Sequence, residues 1–139
     1  KIVIAAYPKA EEDENIYNGR PFIHFKTEEL VKYSQGVISH YTNALNFAVI
    51  HNKPVCFITT RKLDGFKIYQ NGMIAFSNSL GLEIHYIDTP EDMQRILEKG
   101  IFFQNTACYE QHTRKYITVN KSEERLHWDI VSDFLLQNP

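Results

Sequence analysis

Five consecutive residues, Ser39, His40, Tyr41, Thr42 and Asn43, put hydroxyl, imidazole and carboxamide groups between the apolar pair Val37 and Ile38 and the apolar-rich run 44–50. Groups of this kind at this density can hold phosphate oxygens. The flanking pattern reads as strand, elbow, helix. That places the cluster where the first backbone N–H groups of a helix lack partners and the helix dipole is positive. In an open parallel sheet, ligands bind in the crevice beyond the carboxyl ends of the strands. The expected ligand is therefore phosphate-bearing, a nucleotide, held by Ser39, His40, Thr42 and Asn43. Ser, Thr and Asn also make ordinary helix N-caps, and His40 reads equally as a loop imidazole bonded to backbone, so both readings stay open.

Other candidates sit at the ends of other expected strands. Tyr7 and Pro8 close the first apolar segment and point into the same crevice if that strand is central. Thr59, Thr60, Arg61 and Lys62 follow the run 55–58, where Arg61 or Lys62 can neutralise a phosphate or stand in solvent. Asn46, one turn into the elbow helix, reads as a brace for the loop. The carboxylates Glu11, Glu12, Asp13 and Glu14 read as a solvated acidic loop rather than a source of acid–base chemistry. His24, His51, His85, His112 and His127 lack paired spacing, so no metal site is expected. Cys56 and Cys108 are far apart and read as core or neutral thiols. No residue declares itself catalytic. The chain has no Gly-x-Gly-x-x-Gly turn, no Gly-x-x-x-x-Gly-Lys-Ser/Thr loop and no Gly-x-Ser-x-Gly elbow. A dinucleotide dehydrogenase, a P-loop NTPase and an α/β-hydrolase are disfavoured accordingly.

These residues need elements to position them. Residues 2–7 read as a strand buried on both faces, 22–25 as a brief edge strand, and 37–39, 55–59 and 83–87 as further strands. Thr27 is the expected N-cap of a helix that turns Leu30, Val31 and Tyr33 inward, with Gly36 as its left-handed terminator. The elbow helix should bury Ala44, Phe47, Ala48 and Ile50. A longer helical pattern spans 63–80. Thr89 and Pro90 start a helix that turns Ile96 and Leu97 inward and stops at Gly100. Residues 107–117 are partly helical, and a last amphipathic helix from Ser122 carries Leu126, Ile130, Val131, Phe134 and Leu135. Strands alternating with helices imply an α/β fold, a Rossmann-like open and mostly parallel sheet with helices on both faces.

Bulk properties bound the function. The 139 residues fit one domain, 1–139, and 43% hydrophobic with 23% charged residues is a globular balance. A net charge of -2 with no basic run argues against nucleic acid as a partner. No apolar run approaches the roughly 20 residues of a membrane span. The two unpaired cysteines suit a reducing, cytoplasmic setting. The chain opens at Lys1 directly into a strand, as a fragment of a larger two-domain protein would.

The stretch from Thr27 to Ile58 resembles the nucleotide-binding half of bacterial surface-polysaccharide transferases of the GT-B fold. The similarity is to the CDP-glycerol glycerophosphotransferase-like and the lipopolysaccharide glycosyltransferase or sialyltransferase groups. Those carry Thr-Glu-Leu, then Asp-Val-Leu-Ile-Thr-Asp-Tyr-Ser-Ser, a helix, and Lys-Pro-Ile-Ile-Phe. Here the matching residues are Thr27, Glu28, Glu29 and Leu30, then Gly36 to Asn43, then Lys53, Pro54, Val55, Cys56 and Phe57. The resemblance implies that Thr42 and Asn43 grip donor phosphates, with His40 replacing an acidic residue and Asn43 the second serine. Tyr7 and Pro8 stand where those groups place a His-Pro pair. It implies a nucleotide-sugar as substrate and no other cofactor or metal. It implies a glycan or lipid-linked acceptor, and an absent N-terminal domain that brings the catalytic base, leaving this half inactive alone. Lipopolysaccharide or capsular polysaccharide synthesis, in the cytoplasm or at the inner face of the cell membrane, follows as the expected setting. Two other functions share this scaffold: half of a nucleotide-sugar epimerase, and a non-catalytic flavodoxin-like binding module.

Overall fold

The uninterrupted apolar run Val55, Cys56, Phe57 and Ile58 becomes the central strand of a three-stranded sheet. The computed structural model describes residues 1–7, 9–10, 17–100, 102–118, 132–133 and 135–137. In it the first two strands, β1 (Ile4–Ala6) and β2 (Phe22–His24), form a parallel pair, and α1 (Thr27–Tyr33) leads away from them. The next three strands, β3 (Val37–Ser39), β4 (Val55–Thr59) and β5 (Ile84–Tyr86), form the second sheet, with β4 in the middle and both pairings parallel. Parallel neighbours require crossovers. The helix α2 (Leu45–Ile50) joins β3 to β4, and α3 (Lys67–Leu80) joins β4 to β5 after a 3₁₀ turn, Arg61–Leu63. Then come α4 (Pro90–Lys99), α5 (Thr106–His112) and a π-helical turn, Thr113–Ile117. The fold is α/β, with all-parallel strands alternating with helices in a Rossmann-like pattern.

Side chains alternate across a strand, and β4 buries both faces. Val55 and Phe57 enter one cluster with Val31 of α1, Leu45, Ala48 and Val49 of α2, Met73 and Leu80 of α3, and Tyr109 of α5. Cys56, pointing the other way, is also buried. On β3, by contrast, Ile38 is exposed, so cover on both faces is complete only at the centre. Burial of Tyr109 pushes its phenol up to about 12, and the hydroxyl donates to Lys53 O at 3.0 Å.

Several expectations need correction. Thr27 is the first helical residue, and the N-cap position of α1 falls on Lys26, with no side-chain cap. Tyr33 is 76% exposed and Leu97 57%, two residues and one residue round their helices from the buried Val31 and Ile96. Gly36 is not in the left-handed region. Its missing side chain instead admits the Phe102 ring, since a Cβ there would stand 2.5 Å from Phe102 Cδ1. The buried residues of α2 are Leu45, Ala48 and Val49, while Ile50 is exposed, because at 3.6 residues per turn Ile50 falls on the face opposite Ala48. Ile2 and Val3 are exposed, and Ala6 is the buried residue of β1. Leu135, expected on a buried stripe, is exposed. The rest of that stripe (Leu126, Ile130, Val131 and Phe134), His127 and the acidic residues 11–14 lie outside the described residues. The start of α4 follows expectation. Asp92 N donates to Thr89 Oγ1 at 3.2 Å, and Thr89 N donates to Asp92 Oδ2 at 3.1 Å, with Pro90 opening the helix.

Candidate functional site

Parallel pairing brings the carboxyl ends of β3, β4 and β5 to one edge of the sheet, with Ser39 beside Phe57 and Thr59 beside Tyr86. Ser39 and the elbow therefore adjoin Thr59, Thr60 and Arg61. His40 Nε2 lies 3.2 Å from Thr59 Oγ1, a hydrogen bond that ties the elbow to the end of β4. The Thr59 hydroxyl is on a buried residue, so this bond also satisfies a group that burial would otherwise penalise.

The elbow turns by three successive i→i+3 bonds: Leu45 N to Thr42 O, Asn46 N to Asn43 O and Phe47 N to Ala44 O. Thr42 Oγ1 accepts from Ala44 N at 3.2 Å. The amides expected to face a phosphate at the helix N-terminus are thus engaged by the elbow itself. No side chain caps α2 at its N-cap position, Ala44, but Thr42 Oγ1 takes the Ala44 N–H from two residues earlier, so the structural alternative holds for Thr42. What remains available are side chains. Ser39, Asn43 and Thr60 make no side-chain hydrogen bond to the described residues, and Asn43 is exposed.

Arg61 is differently placed. Its backbone N–H donates to Asp88 Oδ1 at 2.8 Å, its Nε stands 3.5 Å from Asp88 Oδ2, and its guanidinium lies 5.4 Å from the Tyr86 ring centroid. Tyr86 in turn donates to Asp64 at 3.2 Å, and that bond, more than desolvation, holds its phenol above the ordinary value. The cation is already paired with a carboxylate, although its side chain is 78% exposed and open to a second anion. Tyr7 is exposed at the end of β1, whose ladder partner is β2, so the condition that β1 be central is not met. Pro8 lies outside the described residues.

One of the scattered histidines, set aside in the sequence as unsuited to a metal site, has a structural role whose partners the sequence did not reveal. His112 is buried, with Nδ1 2.9 Å from Ser79 Oγ and Nε2 3.1 Å from Asn46 Oδ1, and its ring lies between those of Phe76 and Tyr116. Burial lowers its readiness to take a proton. The ring meets Asn46 Oδ1 through Nε2 and Ser79 Oγ through Nδ1, and the Ser79 hydroxyl also reaches Phe76 O at 2.7 Å. Asn46, expected to brace the elbow loop, instead ties α2 to a histidine 66 residues away.

An open groove of about 510 Å³ lies at the opposite, amino end of β4 and β5, lined by Val55, Leu82, His85, Phe103 and Asn105 among others. Its amides are occupied: Asn105 Oδ1 caps α5 by accepting from Cys108 N, and Gln104 donates to Asn52. The strand carboxyl ends remain the better candidate. Among the described residues no group of three His, Cys, Asp or Glu side chains is placed to hold a metal, and no helix is long and apolar enough to cross a membrane. Both thiols are free. Comparison with protein families, curated proteins and solved structures returns no match to this chain.

Proposed function

We propose that the chain is the donor-binding half of a GT-B-type glycosyltransferase of bacterial surface polysaccharide or lipopolysaccharide synthesis, taking a nucleotide-sugar. The observation that carries this reading is the set of unengaged polar side chains, Ser39, Asn43 and Thr60, at the adjoining carboxyl ends of β3 and β4. The resemblance of residues 27–58 to the donor segment of such enzymes supports it from the sequence side. In this reading Ser39, Thr42, Asn43 and Thr60 donate to donor phosphate oxygens, His40 adds its second ring nitrogen, and exposed Arg61 offers charge. Such fixed dipoles stabilise the leaving nucleoside phosphate as the glycosidic bond breaks. The catalytic base and the acceptor site belong to a partner domain, so the chain alone transfers no sugar.

Isothermal titration with CMP, CDP, UDP, GDP and their sugar conjugates tests this. One nucleotide should bind, and Thr42→Ala and Asn43→Ala should each weaken it about tenfold, as losing one or two hydrogen bonds to a charged group implies; Asn43→Ala should leave the melting temperature unchanged, whereas Thr42→Ala also loses the bond from Ala44 N and should lower it slightly. No binding at millimolar concentration refutes the reading. The pairing of Arg61 with Asp88 favours a second one, a non-catalytic flavodoxin-like module in which the same edge has a structural role.

A further inference from the structure

Gly72 lies within α3, where a glycine is less favourable than an alanine and where its backbone is not in the left-handed region that would call for it. Its reason is steric. A Cβ at Gly72 would stand 2.5 Å from Tyr41 Cζ, 2.6 Å from Cε2 and 2.9 Å from Cε1, so the Tyr41 ring rests on bare helix backbone. Tyr41 is the middle residue of the elbow, flanked by His40 and Thr42, and it packs against the core cluster. The elbow has little else to fix it: the His40–Thr59 bond on one side, its own i→i+3 turn with the Ala44 N to Thr42 Oγ1 bond, and no side-chain cap at the N-cap position of the helix that follows.

We propose that Tyr41 and Gly72 form a knob and slot that set the position of the elbow, making both of them positioning residues for the ligand held by Ser39, Thr42 and Asn43. The proposal rests on the reading of the elbow as a donor site only for its ligand, not for its geometry. Filling the slot with a single methyl pushes the ring off α3 and, with it, the peptide groups on either side of Tyr41. Removing the ring frees the elbow without touching α3. The two residues act as one device, so the effect of a methyl at Gly72 depends on whether the ring is there to meet it.

The test is a double-mutant cycle on the full chain with Gly72→Ala, Tyr41→Ala and the pair. With Tyr41 present, Gly72→Ala should lower the thermal midpoint. In the Tyr41→Ala background the same change should raise it, because alanine favours the helix once the clash is gone. Amide hydrogen exchange at Leu45 and Asn46, whose N–H groups close the elbow turn, should quicken at least tenfold in either single variant, with β4 amides unchanged. CDP, or whichever nucleotide the wild type binds, should bind at least tenfold more weakly to both. Should Gly72→Ala fail to fold, Tyr41→Ala supplies the exchange and binding readouts by itself. The same sign of midpoint shift in both backgrounds, or unchanged elbow exchange, overturns the lock. Unchanged nucleotide affinity with quickened exchange overturns the positioning role. A wild-type chain that binds no nucleotide refutes the donor-site reading alone, and the midpoint and exchange data then decide the lock.

Discussion

Two polar residues on β4 and its surroundings show how position sets what a single bond contributes. Tyr109 is buried and donates to Lys53 O at 3.0 Å, whereas Arg61 pairs with Asp88 in solvent. Tyr109→Phe should cost about 1 kcal/mol, the net worth of a typical hydrogen bond, here to a half-buried acceptor. Arg61→Ala should cost between about 0 and 1 kcal/mol, because an exposed ion pair contributes little and Asp88 keeps its bond from the Arg61 backbone N–H. Urea denaturation of the two variants checks both. If Arg61 also meets a donor phosphate, its replacement weakens nucleotide binding far more than it weakens the fold. At this scale the sequence exposed residue types and little of their engagement. Ser39, Thr42 and Asn43 stand together in the chain, but which of them a helix cap would occupy depended on where α2 begins. The helix begins at Leu45, later than its apolar pattern, and the i→i+3 turn ahead of it takes up the amides of Leu45, Asn46 and Phe47.

Three helices meet at His112: Asn46 approaches from α2, Ser79 and Phe76 from α3, and Tyr116 from the π-helical turn that continues α5. Of the groups that these elements turn towards the ring, Tyr116 alone is ionisable, and burial is what lowers the proton affinity of His112. Because the folded-state value lies below the ordinary 6.5, the folded chain binds this proton less readily than the unfolded chain. The sign follows from linkage: the stabilisation is complete above about pH 6.5 and is lost as pH falls through the folded value. The network itself limits the damage, since Ser79 Oγ lies 2.7 Å from Phe76 O and can turn its hydrogen there while accepting from a protonated Nδ1. The loss on acidification is therefore one of desolvated charge, without a broken contact. Urea midpoints from about pH 8 down to about pH 5 should fall for the wild type and fall less steeply for His112→Gln, which starts lower because it loses two bonds. A variant with the wild-type slope would show that other groups carry the acid sensitivity. This cluster was illegible in the sequence, where 33 and 66 residues separate its members and no periodicity connects them. The continuous apolar run of β4 and the Thr89, Pro90 and Asp92 signal of α4 were legible because their physics is local.

The molecule as a whole is held unevenly. The buried cluster draws on α1, α2, β4, α3 and α5, while β1 and β2 contribute nothing to it and α4 touches the interior through Ile96. The alternation of strand and helix made the Rossmann-like class readable. The division into a three-stranded and a two-stranded ladder was not, because pairing between strands is a long-range choice that the run of residues 2–7 resembles but does not determine. Stability should follow the cluster. Amides of β4, flanked on both sides and buried on both faces, should exchange with solvent only through global unfolding, whereas those of β1 and β2 should exchange through local opening at far lower free energy. Phe57→Ala, which empties the centre of the cluster at a cost of about 3–5 kcal/mol, should then speed exchange in β4 by the full amount and leave β1 and β2 unchanged. Native-state hydrogen exchange across low urea concentrations separates the two classes, because global opening depends steeply on denaturant and local opening does not. Equal urea dependence in β1 and β4 would mean that the two ladders unfold as one unit.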